Sequence, residues 1–146
     1  MKEVQFLKAE KKNFELLESL FPDDYFDRYE QFLNRNIDVY FVLYKGQPVG
    51  RLVANYTNQH LPNETAPDIR VNLSHFILLK EYRLRGLGSQ LLKYAIEDLT
   101  VCGYKEFTVG VEEENSIAKH LYFENGFLEV INHGHIPCEY DLYLKR

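Results

Sequence analysis

The segment of greatest chemical interest is a six-residue turn with two glycines, Arg83-Leu84-Arg85-Gly86-Leu87-Gly88. It stands between an apolar run that ends at Leu79 and an amphipathic run that ends at Leu99. The pattern predicts a strand, a tight turn and a helix, and glycine lets such a turn approach a ligand closely. The N–H groups of a first helical turn lack intrahelical partners and attract anions. The turn therefore predicts a site for a phosphate-like group.

The charges near this turn are mostly positive. In a chain of formal net charge -5, one acidic side chain, Glu81, is outnumbered by the cations Lys80, Arg83, Arg85 and Lys93. Local positive charge in an acidic protein favours an anionic ligand at that place. The acidic balance elsewhere argues against a nucleic acid as partner, because nucleic-acid-binding proteins carry a basic face.

Two well-known nucleotide-binding loops do not match the turn. A Walker A loop closes with Gly-Lys-Ser or Gly-Lys-Thr, whereas Gly88 is followed by Ser89 and Gln90. A Rossmann fingerprint needs a small residue where Leu91 stands, within an alternating parallel array of strands and helices. Both classes of loop are therefore disfavoured.

A second segment follows a strand-like run over residues 106–111. It reads Asn115-Ser116-Ile117-Ala118-Lys119-His120-Leu121-Tyr122-Phe123-Glu124-Asn125-Gly126-Phe127. The pattern predicts an N-cap at Asn115 and a helix that ends in a left-handed residue at Gly126. Leu121 and Tyr122 would share one side of this helix.

Together the two segments resemble those of the GNAT-type N-acetyltransferases. Arg83, Gly86 and Gly88 stand at the diagnostic positions of the family's Gln/Arg-x-x-Gly-x-Gly/Ala loop. The second segment is similar to the family's Asn-x-x-Ala-x-x-x-Tyr-x-x-x-Gly-Phe pattern. The resemblance implies acetyl-CoA as co-substrate, without a metal, its pyrophosphate on the turn and its pantetheine arm on the preceding strand. The cofactor-binding residues would be Ile77, Leu78, Leu79, Arg83, Leu84, Arg85, Gly86, Leu87, Gly88, Ser89 and Asn115.

The resemblance also implies catalytic roles. Tyr122 would be the general acid, since a phenol is protonated at neutral pH and can donate to a leaving thiolate. Some members of the family carry on the fourth strand a carboxylate that acts as the general base, but in this sequence Asn72 stands at that position. Asn72 and Ser74 share a strand face and could hold a water molecule, while His75 faces the other way. Glu112 to Glu114 either stabilise the next helix, or one of them attracts a cationic amine or relays its proton.

The elements that position these residues indicate one domain over residues 1–146. An apolar content of 45%, with 11 Tyr and 10 Phe, predicts a globular core. The predicted order is a strand, two helices, three strands, a helix, a strand, a helix and two strands. The first helices are expected over Asn13–Leu20 and from Pro22 to Asn36. We expect an α+β (mixed α/β) fold, a GNAT-like domain with a mostly antiparallel mixed sheet of about seven strands flanked by about four helices.

Composition also bears on the location of the protein. Cys102 and Cys138 lack the spacing of metal ligands, and the N-terminal residues lack the apolar run of a signal peptide. No stretch approaches 18 consecutive apolar residues, so no membrane partner is expected. These features predict a cytoplasmic protein.

We expect the protein to transfer an acetyl group from acetyl-CoA to a primary amine by direct attack. The acceptor would be a small molecule or a peptide, and cationic. Two alternatives stay open at this point. A non-catalytic acyl-CoA binding or sensing module would keep the turn but need no acid, and an interaction protein would use the turn only as a loop. The acceptor, the acyl group and a homodimeric state are also left open.

Overall fold

The computed structural model describes residues 3–15, 25–83, 85–133 and 140–146. The elements of these ranges are β1 Val4–Lys8, α1 Tyr25–Leu33, β2 Ile37–Tyr44, β3 Gln47–Asn55, β4 Arg70–Leu78, a 3-10 helix Lys80–Tyr82, α2 Leu87–Val101, β5 Glu106–Glu112, α3 Ser116–Glu124, β6 Glu129–Asn132 and β7 Tyr140–Lys145. Residues 16–20 of the helix predicted over Asn13–Leu20, the helix start predicted at Pro22 and most of the last hairpin turn lie outside the described residues.

The strands form one mixed sheet in the order β1-β2-β3-β4-β5-β7-β6. Strands β4 and β5 are parallel, with Arg70 to Leu73 in register with Glu106 to Val109. The pairs β1-β2, β5-β7 and β6-β7 are antiparallel. The expected mixed sheet of seven strands is therefore confirmed. The described ranges contain three α-helices, where about four were expected.

A two-residue turn joins β2 to β3. Lys45 and Gly46 have φ angles of +50° and +80°. Two successive positive φ angles are typical of the type I′ turn, whose twist matches that of antiparallel strands. The turn contains only these two residues, because Gln47 and Pro48 already belong to β3.

The chain divides into two compact units, and the first comprises residues 1–54 and 75–95. In this unit an apolar cluster lies between β2 and α1, formed by Ala9, Phe14, Ile37, Val39, Phe41, Leu43 and Val53. Phe14 stacks on Phe32 of α1 with ring centres 4.5 Å apart. On the other face of the strands, Tyr94 of α2 contacts Phe6 and Tyr40 at 5.6 and 6.1 Å between ring centres. Helices therefore cover this part of the sheet on both faces.

The second unit comprises residues 55–74 and 96–146. Arg70 and Arg146 both bond to Glu106, each with a nitrogen 2.9 Å from a carboxylate oxygen. Arg146 also pairs with Glu129 at 3.4 Å. These ion pairs tie the start of β4 and β5 to β6 and to the end of the chain. None of the helices in the described ranges is long and apolar enough to cross a bilayer.

Candidate functional site

The predicted glycine turn connects β4 to α2. The Nε of Arg83 donates to the carbonyl of Leu78 at 3.0 Å, which folds the turn back on the end of β4. Gly86 has a φ of +79°, a left-handed conformation that glycine adopts without steric cost. Its carbonyl accepts a hydrogen bond from the N–H of Gln90 at 3.1 Å. Gly86 is therefore the N-cap of α2. Leu84, also predicted to bind the cofactor, lies outside the described residues.

Gly88 brings the first turn of α2 close to β4. A Cβ at Gly88 would stand 3.4 Å from Leu78 Cδ1 and 3.4 Å from Phe76 Cζ, so the glycine fits closely against both side chains. The bond from the N–H of Gln90 to the carbonyl of Gly86 is the first of the helix. The N–H groups of Leu87 and Gly88 come before it, so they have no acceptor within the helix and point out of its N-terminus. The helix dipole adds partial positive charge at the same place. This arrangement can hold an anionic group, as predicted.

The side chains around the turn complete a positive surface. All four predicted cations, Lys80, Arg83, Arg85 and Lys93, are exposed. The guanidinium carbon of Arg85 lies 5.7 Å from the centre of the Tyr82 ring. No sequence motif includes Tyr82, because its contact with Arg85 depends on how the 3-10 helix places the ring.

The backbone of β4 presents two different edges beside the turn. The N–H of Leu79 donates to the carbonyl of Val49 on β3 at 2.8 Å. Because backbone polar groups alternate in direction along a strand, those of Ile77 also point towards β3. Those of Phe76 and Leu78 point to the opposite edge. Of the three residues predicted for the pantetheine arm, only Leu78 thus presents its backbone N–H and C=O groups at the edge opposite β3. Phe76, which no sequence motif indicated, presents its backbone groups at the same edge.

His75 interrupts the regular geometry of β4. Its φ is +50°, which is uncommon for a residue with a side chain and typical of bulges and functional sites. The side chain is exposed, and the carbonyl accepts a bond from Nε of the buried Arg51 at 3.4 Å. Alternation of faces does not continue through a left-handed residue. Strand alternation, on which the prediction for His75 relied, therefore does not determine the face of the sheet on which its side chain lies.

A buried polar ladder crosses β3, β4 and β5 just before His75. Asn72 is only 3% exposed. Its Oδ1 accepts from Asn55 Nδ2 at 3.0 Å, and its Nδ2 donates to Thr108 Oγ1 at 3.0 Å. Asn55 Nδ2 also lies 2.7 Å from Ser74 Oγ, which places Asn72 and Ser74 on one face, as predicted. Both ends of the Asn72 amide are therefore engaged by protein groups.

The ladder continues to Glu64 in the loop between β3 and β4. Thr108 Oγ1 donates to the carbonyl of Glu64 at 2.7 Å, and Glu64 is only 2% exposed. Its carboxylate accepts the N–H groups of Gln59 and His60 at 2.7 and 2.9 Å, and the hydroxyl of Tyr140 at 3.2 Å. The sequence pattern carries no signal for this cluster, because it joins residues from separate strands and a loop.

The second predicted segment has the expected caps. Asn115 Oδ1 accepts the N–H of Ala118 at 3.1 Å, which confirms the N-cap of α3, and Gly126 ends the helix with a φ of +94°. Tyr122 is 8% exposed, and its ring meets Phe127 edge-on with centres 5.6 Å apart. Burial raises the pKa of Tyr122 to about 12. The phenol therefore stays protonated well beyond neutral pH.

Three carboxylates precede α3. Glu112, Glu113 and Glu114 are all exposed at the end of β5, close to the N-terminus of the helix. Burial raises the pKa of Tyr143, and the charges of Asp141 and Glu113 raise it further.

Within the ranges that the structure describes, no three His, Cys, Asp or Glu side chains are grouped so that they could hold a metal ion.

Known proteins provide an independent comparison. A family model described as "Acetyltransferase (GNAT) family" matches residues 5–127. No curated protein matches the sequence at a significant level. Among solved structures, the fold is similar to a GNAT family acetyltransferase from Elizabethkingia anophelis with acetyl-CoA bound, with a TM-score of 0.72, 16% identity and coverage of 100% of this chain and 99% of that one.

Two further solved structures share the fold. PaiA N-acetyltransferase from Thermoplasma acidophilum, in complex with coenzyme A, has a TM-score of 0.70 and 17% identity, with 98% of both chains covered. Ribosomal-protein-alanine N-acetyltransferase from Brucella melitensis has a TM-score of 0.70 and 20% identity, with 96% of both chains covered. At these identities the likeness concerns the fold.

The ladder predicts the effect of placing a carboxylate on β4. Asn72→Asp should lower the free energy of unfolding by about 1–3 kcal/mol at neutral pH, because an acceptor would replace the donor that faces Thr108. We expect burial to raise the pKa of the new carboxyl, so that its protonated form donates to Thr108 at low pH. Stability measured in urea should approach wild type near about pH 4 and fall as the pH rises.

Asn34→Asp is the matched control, since Asn34 is exposed after the end of α1. It should change the free energy of unfolding by no more than about 0.5 kcal/mol. A stability difference for Asn72→Asp that does not vary with pH would contradict the role given to the ladder.

Proposed function

Since the chain belongs to the GNAT family of acetyltransferases, we propose that it is an N-acetyltransferase that moves an acetyl group from acetyl-CoA to a primary amine by direct nucleophilic attack. The observation that carries this proposal is the turn at the start of α2, with Gly86 as N-cap and Gly88 against β4. The family match over residues 5–127 supports a single acetyltransferase domain over the chain.

The turn would bind the pyrophosphate of acetyl-CoA. The amides of Leu87, Gly88 and Ser89 form the first turn of α2, where backbone donors and the helix dipole favour a negative group. Arg83 and Arg85 would add positive charge at its rim. Such an arrangement suits a ligand with several phosphates, because the backbone amides bind one phosphate group while the arginine side chains are left to bind another.

The backbone of β4 would bind the pantetheine arm. The polar groups of Leu78 and Phe76 face the edge opposite β3, where an extended amide chain could pair with them. The carbonyl of Leu78 already accepts from Arg83 Nε, and a carbonyl oxygen has a second lone pair for the ligand. Asn115 uses Oδ1 as the N-cap, so its Nδ2 would be the atom that contacts the arm.

Tyr122 would be the general acid. Its pKa of about 12 keeps the phenol neutral, so the proton is present for the CoA thiolate at every physiological pH. The same pKa makes the phenolate scarce, which excludes Tyr122 as a base. A thiolate with an ordinary pKa near about 8.5 leaves tolerably well unaided, so the assistance should be at the modest end for such groups.

The acceptor amine must lose a proton before it attacks. For an amine of pKa about 10.4 at neutral pH, the neutral form costs roughly 4–5 kcal/mol. Asn72 cannot act as a base, and both ends of its amide are hydrogen-bonded within the ladder. We infer that water takes the proton, while exposed Glu112 to Glu114 attract a cationic acceptor.

Substitution at Gly88 tests the phosphate site. Gly88→Asp should weaken acetyl-CoA binding at least about 100-fold, because it places negative charge beside the pyrophosphate. Gly88→Ala is the matched control, because its Cβ would meet Leu78 and Phe76 at 3.4 Å and should change affinity by no more than about threefold. Calorimetry on both folded variants measures the effect. Binding by the Asp variant within a few-fold of wild type would remove the turn from the site.

Tyr122→Phe tests the acid. It should lower the single-turnover rate of acetyl transfer by about 100-fold and leave the Kd for acetyl-CoA within about twofold. Since the pKa of Tyr122 is about 12, the ratio of wild-type to variant rates should stay constant up to about pH 10. Tyr143→Phe is the control, because Tyr143 is buried to a similar extent, and its rate should match wild type. Equal rates for Tyr122→Phe and wild type would refute the assignment.

The route of the amine proton determines the pH profile. Release of CoA thiol should first be screened over a panel of small amines, polyamines, amine-bearing antibiotics and N-terminal peptides. For each acceptor found, log(kcat/KM) should rise with pH towards the pKa of that amine, since water provides no fixed pKa of its own. A plateau near pH 6–7 shared by every acceptor would reveal an enzymic base instead. Acetyl-CoA binding without release for any amine would favour a non-catalytic module.

A further inference from the structure

A pair of tyrosine rings with a cationic side chain at each end lies beside the glycine turn. Lys45 Nζ lies 5.4 Å from the centre of the Tyr44 ring, and the rings of Tyr44 and Tyr82 have centres 5.4 Å apart. The guanidinium carbon of Arg85 lies 5.7 Å from the centre of the Tyr82 ring. We call these four residues the aromatic row. It belongs entirely to the first compact unit, as does the turn itself.

Tyr82 holds Arg85 in a defined position. Tyr82 is half-buried in the 3-10 helix and packs on Tyr44, whereas Arg85 is exposed. When a guanidinium contacts the face of an aromatic ring, its N–H groups remain available for two parallel hydrogen bonds to a phosphate. A side chain already held in place loses less conformational freedom when a ligand binds.

The two arginines of the turn have different surroundings. Arg83 Nε is engaged by the carbonyl of Leu78, so this guanidinium stabilises the end of β4. Arg85 instead stands beside the N-cap Gly86 with its face on Tyr82. Backbone amides at the start of α2 suit a pyrophosphate without help from a side chain, whereas a separate phosphate monoester requires a cation of its own.

We propose that Arg85, positioned by Tyr82, binds the 3′-phosphate on the ribose of CoA, and that the protein thereby discriminates CoA from dephospho-CoA. This inference rests on the proposed function, because it assigns one part of the same ligand. Tyr44 also packs on the ring of Tyr82, with ring centres 5.4 Å apart. Lys45 adds a second exposed positive charge to the row, which attracts the doubly charged phosphate.

Binding of CoA and of dephospho-CoA, measured by calorimetry, tests the assignment. The wild-type Kd for CoA should be about tenfold lower than that for dephospho-CoA. Arg85→Gln should abolish this ratio by weakening CoA binding about tenfold while leaving dephospho-CoA within about twofold. Lys105→Gln removes the same charge from an exposed position just before β5, and it should preserve the ratio.

Substitutions of Tyr82 test the positioning. Tyr82→Phe keeps the ring and should preserve the ratio, whereas Tyr82→Leu removes it and should reduce the ratio by about threefold or more. Equal wild-type affinity for the two compounds, or equal weakening of both by Arg85→Gln, overturns this inference and leaves the proposed function intact. A folded wild-type protein that binds neither compound overturns both.

Discussion

The close approach of helix α2 to strand β4 is the contact on which the candidate site depends. A Cβ at position 88 would already be in van der Waals contact with Leu78 and Phe76, so a small residue is needed for the helix to start this close to the strand. Gly86 supplies the left-handed step that turns the chain into the helix. Together they bring unpaired helix-start amides next to a strand edge. A side chain larger than that of alanine at position 88 would press on Leu78 and Phe76 and move the amides away from that edge.

The same region separates neutral from charged groups. Asn72 and Ser74 on β4 carry an amide and a hydroxyl that are each engaged by a neighbour, and Asn72 is almost completely buried. The cations stand exposed around the turn. Burying a neutral amide with two partners costs far less than burying a carboxylate. The ladder thus gives a physical reason for an asparagine at position 72. An acidic side chain buried there would need either a positively charged partner or a bound proton.

Tyr122 follows the same principle. Its burial disfavours the phenolate and raises the pKa, which leaves a neutral group with a proton to donate. No nearby charge is needed for that effect. The environment of Glu64 is different, because three backbone N–H groups and the Tyr140 hydroxyl solvate its buried carboxylate.

The sequence alone determined the local features of this protein. The glycine turn, the Asn115 cap and the Gly126 stop were all predicted, because each depends on the backbone preferences of a few neighbouring residues. Only the tertiary structure decided which edge of β4 presents Leu78 and Phe76, that Asn72 meets Asn55 and Thr108, and that Tyr82 packs on Tyr44. Those contacts join residues from different strands and turns, and they depend on register and on close packing, which short-range patterns do not encode.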